Sequence, residues 1–271
     1  MNKLTLLIAI LLLLTHLGVH AQDGNWDVYL AQYESGPGSV TLNMDLINIA
    51  PNKNLPYVLI TGVKFENCRD DGFPDSDEFA NLYNISDHVE RLLKKHVTSE
   101  LAGTFTYQCE RLDYIYLSDT TSIRAKLSKL YTTSFSNYEY YINIKPDENW
   151  EAYTQFLYPN EFIRENMANK KVLLQLQQAG DNLSKERQVD HWLYFASQAD
   201  QEKYVEQVKA LGFKVESKKT DKLLKLPYQL RISRTDYIYP ESINKITFEL
   251  RQKAKDLNGD YDGWETFVIK E

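Results

Sequence analysis

The side chains able to do chemistry in this chain are few and scattered. Asp190 and His191 sit side by side in a segment that reads as a strand, and Asp260, Asp262 and Glu265 fall close to the C-terminus. A sheet that gathered them would make an acidic patch with one His, suited to a cation or to the basic face of a partner. The competing reading is structural: Tyr261–Trp264 forms a turn that seats Trp264 against the core, with Gly263 allowing an unusual backbone angle. The run Asp70, Asp71, Asp75, Asp77, Glu78 and the alternating oxygens of Asp256–Asp262 touch on calcium chemistry, which wants several oxygen ligands in one loop. Phe73-Pro74 breaks an EF-hand spacing in the first, and Phe267 stands where the second would need Glu. Capping and turn formation explain both segments. His88 and His96 lie eight residues apart without a HExxH pattern, and neither a GxSxG elbow nor a phosphate-binding glycine loop is present. No catalytic residue, metal or cofactor is therefore expected, and the chain reads as a non-enzyme.

Two further sets of residues stand out. Cys68 and Cys109 are the only cysteines; they either pair or remain buried free thiols, and their spacing is not that of a zinc site. Tyrosine is in excess at 19 residues. Tyr114 and Tyr116 share one face of a strand, as do Tyr138 and Tyr140, because side chains alternate with period two. A tyrosine-rich sheet face would make a good protein-binding surface, since rigid amphipathic rings lose little entropy on contact. Alternatively, the 26–46 hairpin, the 150–157 helix or the second half of the chain covers it.

Periodicity assigns these residues to strands and helices. Residues 26–32 and 40–46 alternate around Gly36-Pro37-Gly38 and read as a β-hairpin. Then come a strand at 57–65, a helix capped by Asp75 or Ser76, strands at 104–109 and 112–118, a helix opened by Thr120 or Thr121, and a strand at 138–145. The order β-α-β-β-α-β is that of a ferredoxin-like sandwich. Residues 150–157 and 160–178 read as helices broken by Pro159, with the domain junction between them. The pattern then repeats: strand 188–195, a helix ending at Gly212, strands 213–218 and 228–233, helix 240–258, strand 264–269. The expected fold is α+β, two tandem ferredoxin-like sandwiches. In such a sheet the loop at 66–70 could bring Cys68 over to Cys109, provided the Cα atoms come within about 7 Å.

Residues 1–21 read as a cleaved signal peptide: Lys3, an apolar Leu4–Leu14, then Val19-His20-Ala21. The mature chain would start at Gln22 in the periplasm or outside the cell, with domains over 22–158 and 160–271. No second long apolar stretch exists, so no membrane span is expected in the mature chain. Thirty-eight acidic residues against 31 basic ones, a net charge of −7, argue against nucleic-acid binding, which needs surplus Lys and Arg.

Leu176-Gln-Gln-Ala-Gly180-Asp181, Val189-Asp190-His191-Trp192-Leu193-Tyr194-Phe195, Leu211-Gly212-Phe213-Lys214-Val215 and the terminal Asp260-Tyr261-Asp262-Gly263-Trp264 resemble the RraB-like family, named for a regulator that binds ribonuclease E. The Trp26 strand and the Asp71-Gly72-Phe73-Pro74 turn resemble the domain-of-unknown-function family DUF695. The first resemblance implies an acidic α+β module that binds another protein without chemistry of its own; it supplies no catalytic residues. An exported chain would not meet cytoplasmic ribonuclease E, so the expectation is a secreted interaction factor, such as an inhibitor of a nuclease or toxin. The alternative is a small-ligand or cation binder using the cleft between modules.

Overall fold

The computed structural model describes residues 24–270; the signal-peptide reading of residues 1–21 lies outside them. The described residues divide into two compact units, meeting between Tyr158 and Pro159.

The first unit holds β1 (Trp26–Tyr33), β2 (Gly36–Asn43), β3 (Tyr57–Lys64), α1 (Glu78–Lys94), β4 (Ser99–Tyr107), β5 (Glu110–Leu117), α2 (Ile123–Ser134) and β6 (Glu139–Pro146). The strands form one antiparallel sheet in the order β1-β2-β4-β5-β3-β6. The hairpin turns at Glu34-Ser35 and not at the glycines. Gly36-Pro37-Gly38 lies inside β2, where a Cβ on Gly38 would come within 2.7 Å of the Tyr33 ring; the glycine makes room for an aromatic cluster. Helix α1 turns Leu82, Ile85, Val89 and Leu93 inward onto Leu59, Val63, Ile115 and Leu117, and α2 adds Ile123, Leu127 and Tyr131 to the same core. The helix starts differ from expectation. Neither Asp75 nor Ser76 is the cap of α1, which begins after Asp77 without a side-chain cap. At α2 the side chain of Asp119, and not of Thr120 or Thr121, accepts the Thr120 and Thr121 amides at 2.7 and 3.2 Å.

After β6 the chain folds back over the other face of the sheet. Asp147 is the anchor: its carboxylate accepts the Glu151 and Ala152 amides at 2.8 and 3.0 Å and the Tyr116 hydroxyl at 2.7 Å. Trp150 and, from the π-helical segment Ala152–Leu157 that follows, Tyr153 and Leu157 are fully buried.

The second unit holds α3 (Glu161–Gln178), β7 (Arg187–Phe195), α4 (Gln198–Ala210), β8 (Lys214–Thr220), β9 (Tyr228–Asp236), α5 (Pro240–Lys255) and β10 (Gly259–Glu265). Its antiparallel sheet runs β10-β7-β9-β8. Gly180 and Gly212 stop α3 and α4 at φ +81° and +86°, where a Cβ would be strained. The last strand starts five residues earlier than expected. Asn258 takes a left-handed φ of +50°, which ends the helix and leaves Gly259 free to pair with Phe195. Tyr261–Trp264 is not a turn. It is strand with a bulge between Tyr261 and Gly263, and the extra residue lets side chains three apart face the same side.

In each unit the four strands of the β-α-β-β-α-β run, numbered in chain order, lie fourth-first-third-second. No helix among the described residues is long and apolar enough to cross a membrane.

Candidate functional site

The two tyrosine pairs of the first unit fall on opposite faces of its sheet. Tyr114 and Tyr116 lie on the face covered by the 147–158 segment and are buried, at 7% and 0% exposure. Tyr116 stacks on Trp150 with ring centroids 3.8 Å apart, and Tyr114 stacks on Phe156 at 5.5 Å. Burial, reinforced for Tyr116 by its bond to Asp147, raises both hydroxyls far above the ordinary tyrosine range. Neither ring is available to a partner, and the expectation of a contact face there is corrected. Tyr138 and Tyr140 lie on the helix-backed side. Tyr138 donates to Glu78 at 2.7 Å, and burial with that neighbouring carboxylate pushes its pKa up to about 12. Tyr140 remains exposed at its rim while stacking on Tyr131 at 4.9 Å. All four tyrosines serve packing.

Cys68 and Cys109 are joined by a disulfide across a Cα–Cα distance of 5.7 Å. The two strands preceding them, β3 and β4, flank β5 and run parallel to each other, so their ends fall on one edge. Cys109 sits in the β4–β5 turn at φ +62°. Its amide donates to Gly72 and its carbonyl accepts from Phe65, each at 2.9 Å. The bridge thus fastens the carboxylate-rich loop before α1 to the sheet. Asp71 in that loop is held by Arg69 and accepts the Phe73 amide.

In the second unit the sheet separates the residues that a patch would have needed together. His191 and Asp190 are neighbours in sequence and point to opposite faces. His191 is wholly buried on the helix side, with Nδ1 2.8 Å from the Tyr261 hydroxyl and Nε2 unpartnered. Burial, aided by the Arg234 charge, lowers its pKa to about 3, so the ring is neutral at pH 7. Trp264 lies opposite His191 on β10 and is buried, its indole N–H donating to Asn169 Oδ1 at 2.8 Å. Asn169 in turn donates to Thr247 and Asn244, a closed polar network that locks α3, α5 and β10. Asp262 is the exposed residue at the bulge, and Asp260, also exposed, faces Arg251 at 3.5 Å. No group of three or more His, Cys, Asp or Glu able to hold a metal is found among the described residues.

The other face of the same sheet carries a different set. Alternation along β7 puts Gln188, Asp190, Trp192 and Tyr194 there, and register adds Arg231 opposite Trp192, Ser233 opposite Asp190 and Glu265 across β10. Arg231 donates to Asp190 at 2.9 Å and lies 5.2 Å over the Trp192 ring. All three helices of the unit pack on the opposite side, against Val189, Leu193, Leu230, Ile232 and Trp264. Trp192 and Tyr194 are left half-buried. Trp, Tyr and Arg are the residue types that dominate protein-interface energetics. Of this face only Asp190 stands out in the sequence by residue type, although the alternation Asp190-Trp192-Tyr194 already puts three of its members on one side.

A search among curated proteins finds no match. Residues 24–158 match the family model described as a family of unknown function, DUF695, and residues 166–266 match that described as regulator of ribonuclease activity B. The chain is thus similar to DUF695 over its N-terminal part and to the RraB family over its C-terminal part.

Proposed function

We propose that this protein is an exported, non-catalytic regulator that acts by binding another protein through the helix-free sheet face of its RraB-like unit. We read both units as ferredoxin-like sandwiches, a reading that their common strand order supports. The observation that carries the functional proposal is the cluster Trp192, Tyr194 and Arg231 on a face that no helix of the unit covers, in a segment matching a family described as a regulator. The disulfide suits an oxidising compartment, in line with a signal peptide at residues 1–21. His191 turns toward the core, so it is not positioned as an acid or base toward solvent. The target class that fits is a nuclease or toxin: such proteins present basic nucleic-acid-binding surfaces, and a chain of net charge −7 would be steered to them.

A photo-crosslinking residue at Tyr194, compared with one at the exposed Lys203 on α4, tests this in envelope extract. The proposal predicts one dominant protein adduct from position 194 and none from 203, and a loss of binding of about 30-fold in Trp192→Ala. Equal labelling from both positions, or full binding by that variant, would refute it.

A further inference from the structure

The tip joining β8 to β9 differs in chemistry from the rest of the chain. Residues 214–228 carry five lysines and two acids, a local balance of +3 in a chain of −7. At the tip Leu223 is 95% exposed, the highest value among the large hydrophobic residues described, and Leu224 beside it is 43% exposed. Lys222 and Lys225 flank this pair and are themselves exposed. Lys218 is taken up by Glu202 at 2.8 Å, whereas Lys219, Lys222 and Lys225 form no ion pair among the described residues.

The exposure of Leu223 is built into the turn. The Asp221 amide donates to Pro227 at 2.9 Å, its carboxylate accepts the Leu223 amide at 3.0 Å, and its carbonyl accepts the Leu224 amide at 3.2 Å. These bonds set the backbone of the turn, and from it Leu223 projects into solvent. A projecting apolar tip flanked by cations matches a surface that is apolar beneath an anionic layer. A bilayer offers both at once and deforms around a protrusion, whereas a protein would need a preformed acidic cleft with an apolar floor.

We propose that this tip docks on anionic lipid surfaces, with Leu223 and Leu224 entering the boundary between headgroups and acyl chains and Lys219, Lys222 and Lys225 contacting the headgroups. Attachment of this kind is peripheral and salt-sensitive, because surface attraction fades beyond a Debye length. The tip adjoins the Trp192 face, since Leu224 and Lys225 line one pocket with Tyr194, so the test separates the two by comparing W192A with the tip variants.

Co-sedimentation of the full chain with vesicles tests it. Mixed phosphatidylcholine–phosphatidylglycerol vesicles are expected to bind the protein and pure phosphatidylcholine vesicles not to. Replacing two lysines, in K222Q/K225Q, should weaken binding about 30-fold, and L223D about tenfold or more, with melting temperatures unchanged because neither change touches the core. W192A should sediment like the parent chain. Failure to bind the anionic vesicles, or equal binding by the parent and the tip variants, would overturn the proposal. So would a tip variant that loses only the protein adduct formed from position 194, since the tip would then belong to a protein interface.

Discussion

The two four-strand cores share a strand order and a helix-backed face, and they part ways after the fourth strand. In the DUF695-like unit the chain after β6 returns over the sheet, and Asp147, Trp150, Tyr153 and Leu157 seal its second face. In the RraB-like unit the chain after β10 is held elsewhere. The buried Arg187–Asp181 ion pair, 2.5 Å long, fixes it: Arg187 donates to the Phe267 carbonyl and Asp181 accepts the Ile269 amide. Arg187 shares the helix side with Val189, so the tail is kept off the face that carries Trp192. The same framework thus yields one sheet face whose aromatic residues are sealed and another whose Trp192 and Tyr194 stay partly exposed. Aromatic richness alone does not mark an interface; the path of the chain beyond the last strand decides.

Changes to the two anchors strain this contrast most. Arg187→Ala leaves the buried Asp181 carboxylate without its cation, and should cost the RraB-like unit about 3–5 kcal/mol in denaturant unfolding of the full chain. Trp150→Ala removes a fully buried indole that stacks on Tyr116 and donates to the Leu55 carbonyl at 3.0 Å, and should cost the DUF695-like unit a similar amount, about 3–5 kcal/mol. A loss below about 1 kcal/mol in either would mean that the anchor is dispensable. Reduction of Cys68–Cys109, which closes a separation of 41 residues, should lower the stability of the first unit alone by about 4 kcal/mol in the chain-entropy picture; denaturant midpoints with and without reductant measure it.

Acid should act on the second unit through His191. Its folded pKa lies near 3, below the 6.5 of an unfolded His, so below pH 6.5 the unfolded chain takes up a proton that the folded one refuses. Stability from this group is complete above pH 6.5 and declines as pH falls toward 3, by up to about 1.4 kcal/mol per pH unit. His191→Gln should flatten that decline when unfolding of the two proteins is compared from pH 7 to 4. Parallel curves would mean that the ring is not held neutral. The smallest effect is expected at Trp192→Ala, within about 1 kcal/mol of parent stability because the ring is only partly covered, while its partner binding falls.

Much of this architecture can be read from the residues. The β-branched run at 57–65 and the alternation in 188–195, together with glycines past the second unit's helix ends, give the order of elements. The sheet edge that brings Cys68 to Cys109 follows from that order. What escapes is parity and covering. Tyr116 and Tyr140 look equivalent as strand tyrosines, yet one lies beneath Trp150 and the other against Tyr131, and only the strand register decides. Trp264 seats against the core as expected, but from a bulged strand and not from a turn, because the residue inserted at Asp262 shifts a period of two. Arg231 escapes notice because its meaning depends on Trp192 and Asp190 across a strand pair, 41 residues away in sequence for the latter.

Hydroxyl-radical footprinting of the full chain, alone and with the protein captured from position 194, reads the two sheet faces in one experiment. Trp192 and Tyr194 should be oxidised in the isolated chain and protected in the complex, with Trp150 and Tyr116 unmodified in both. Trp192 as unreactive as Trp150 in the isolated chain, or unchanged when the partner is bound, would contradict the division between a sealed face and an open one.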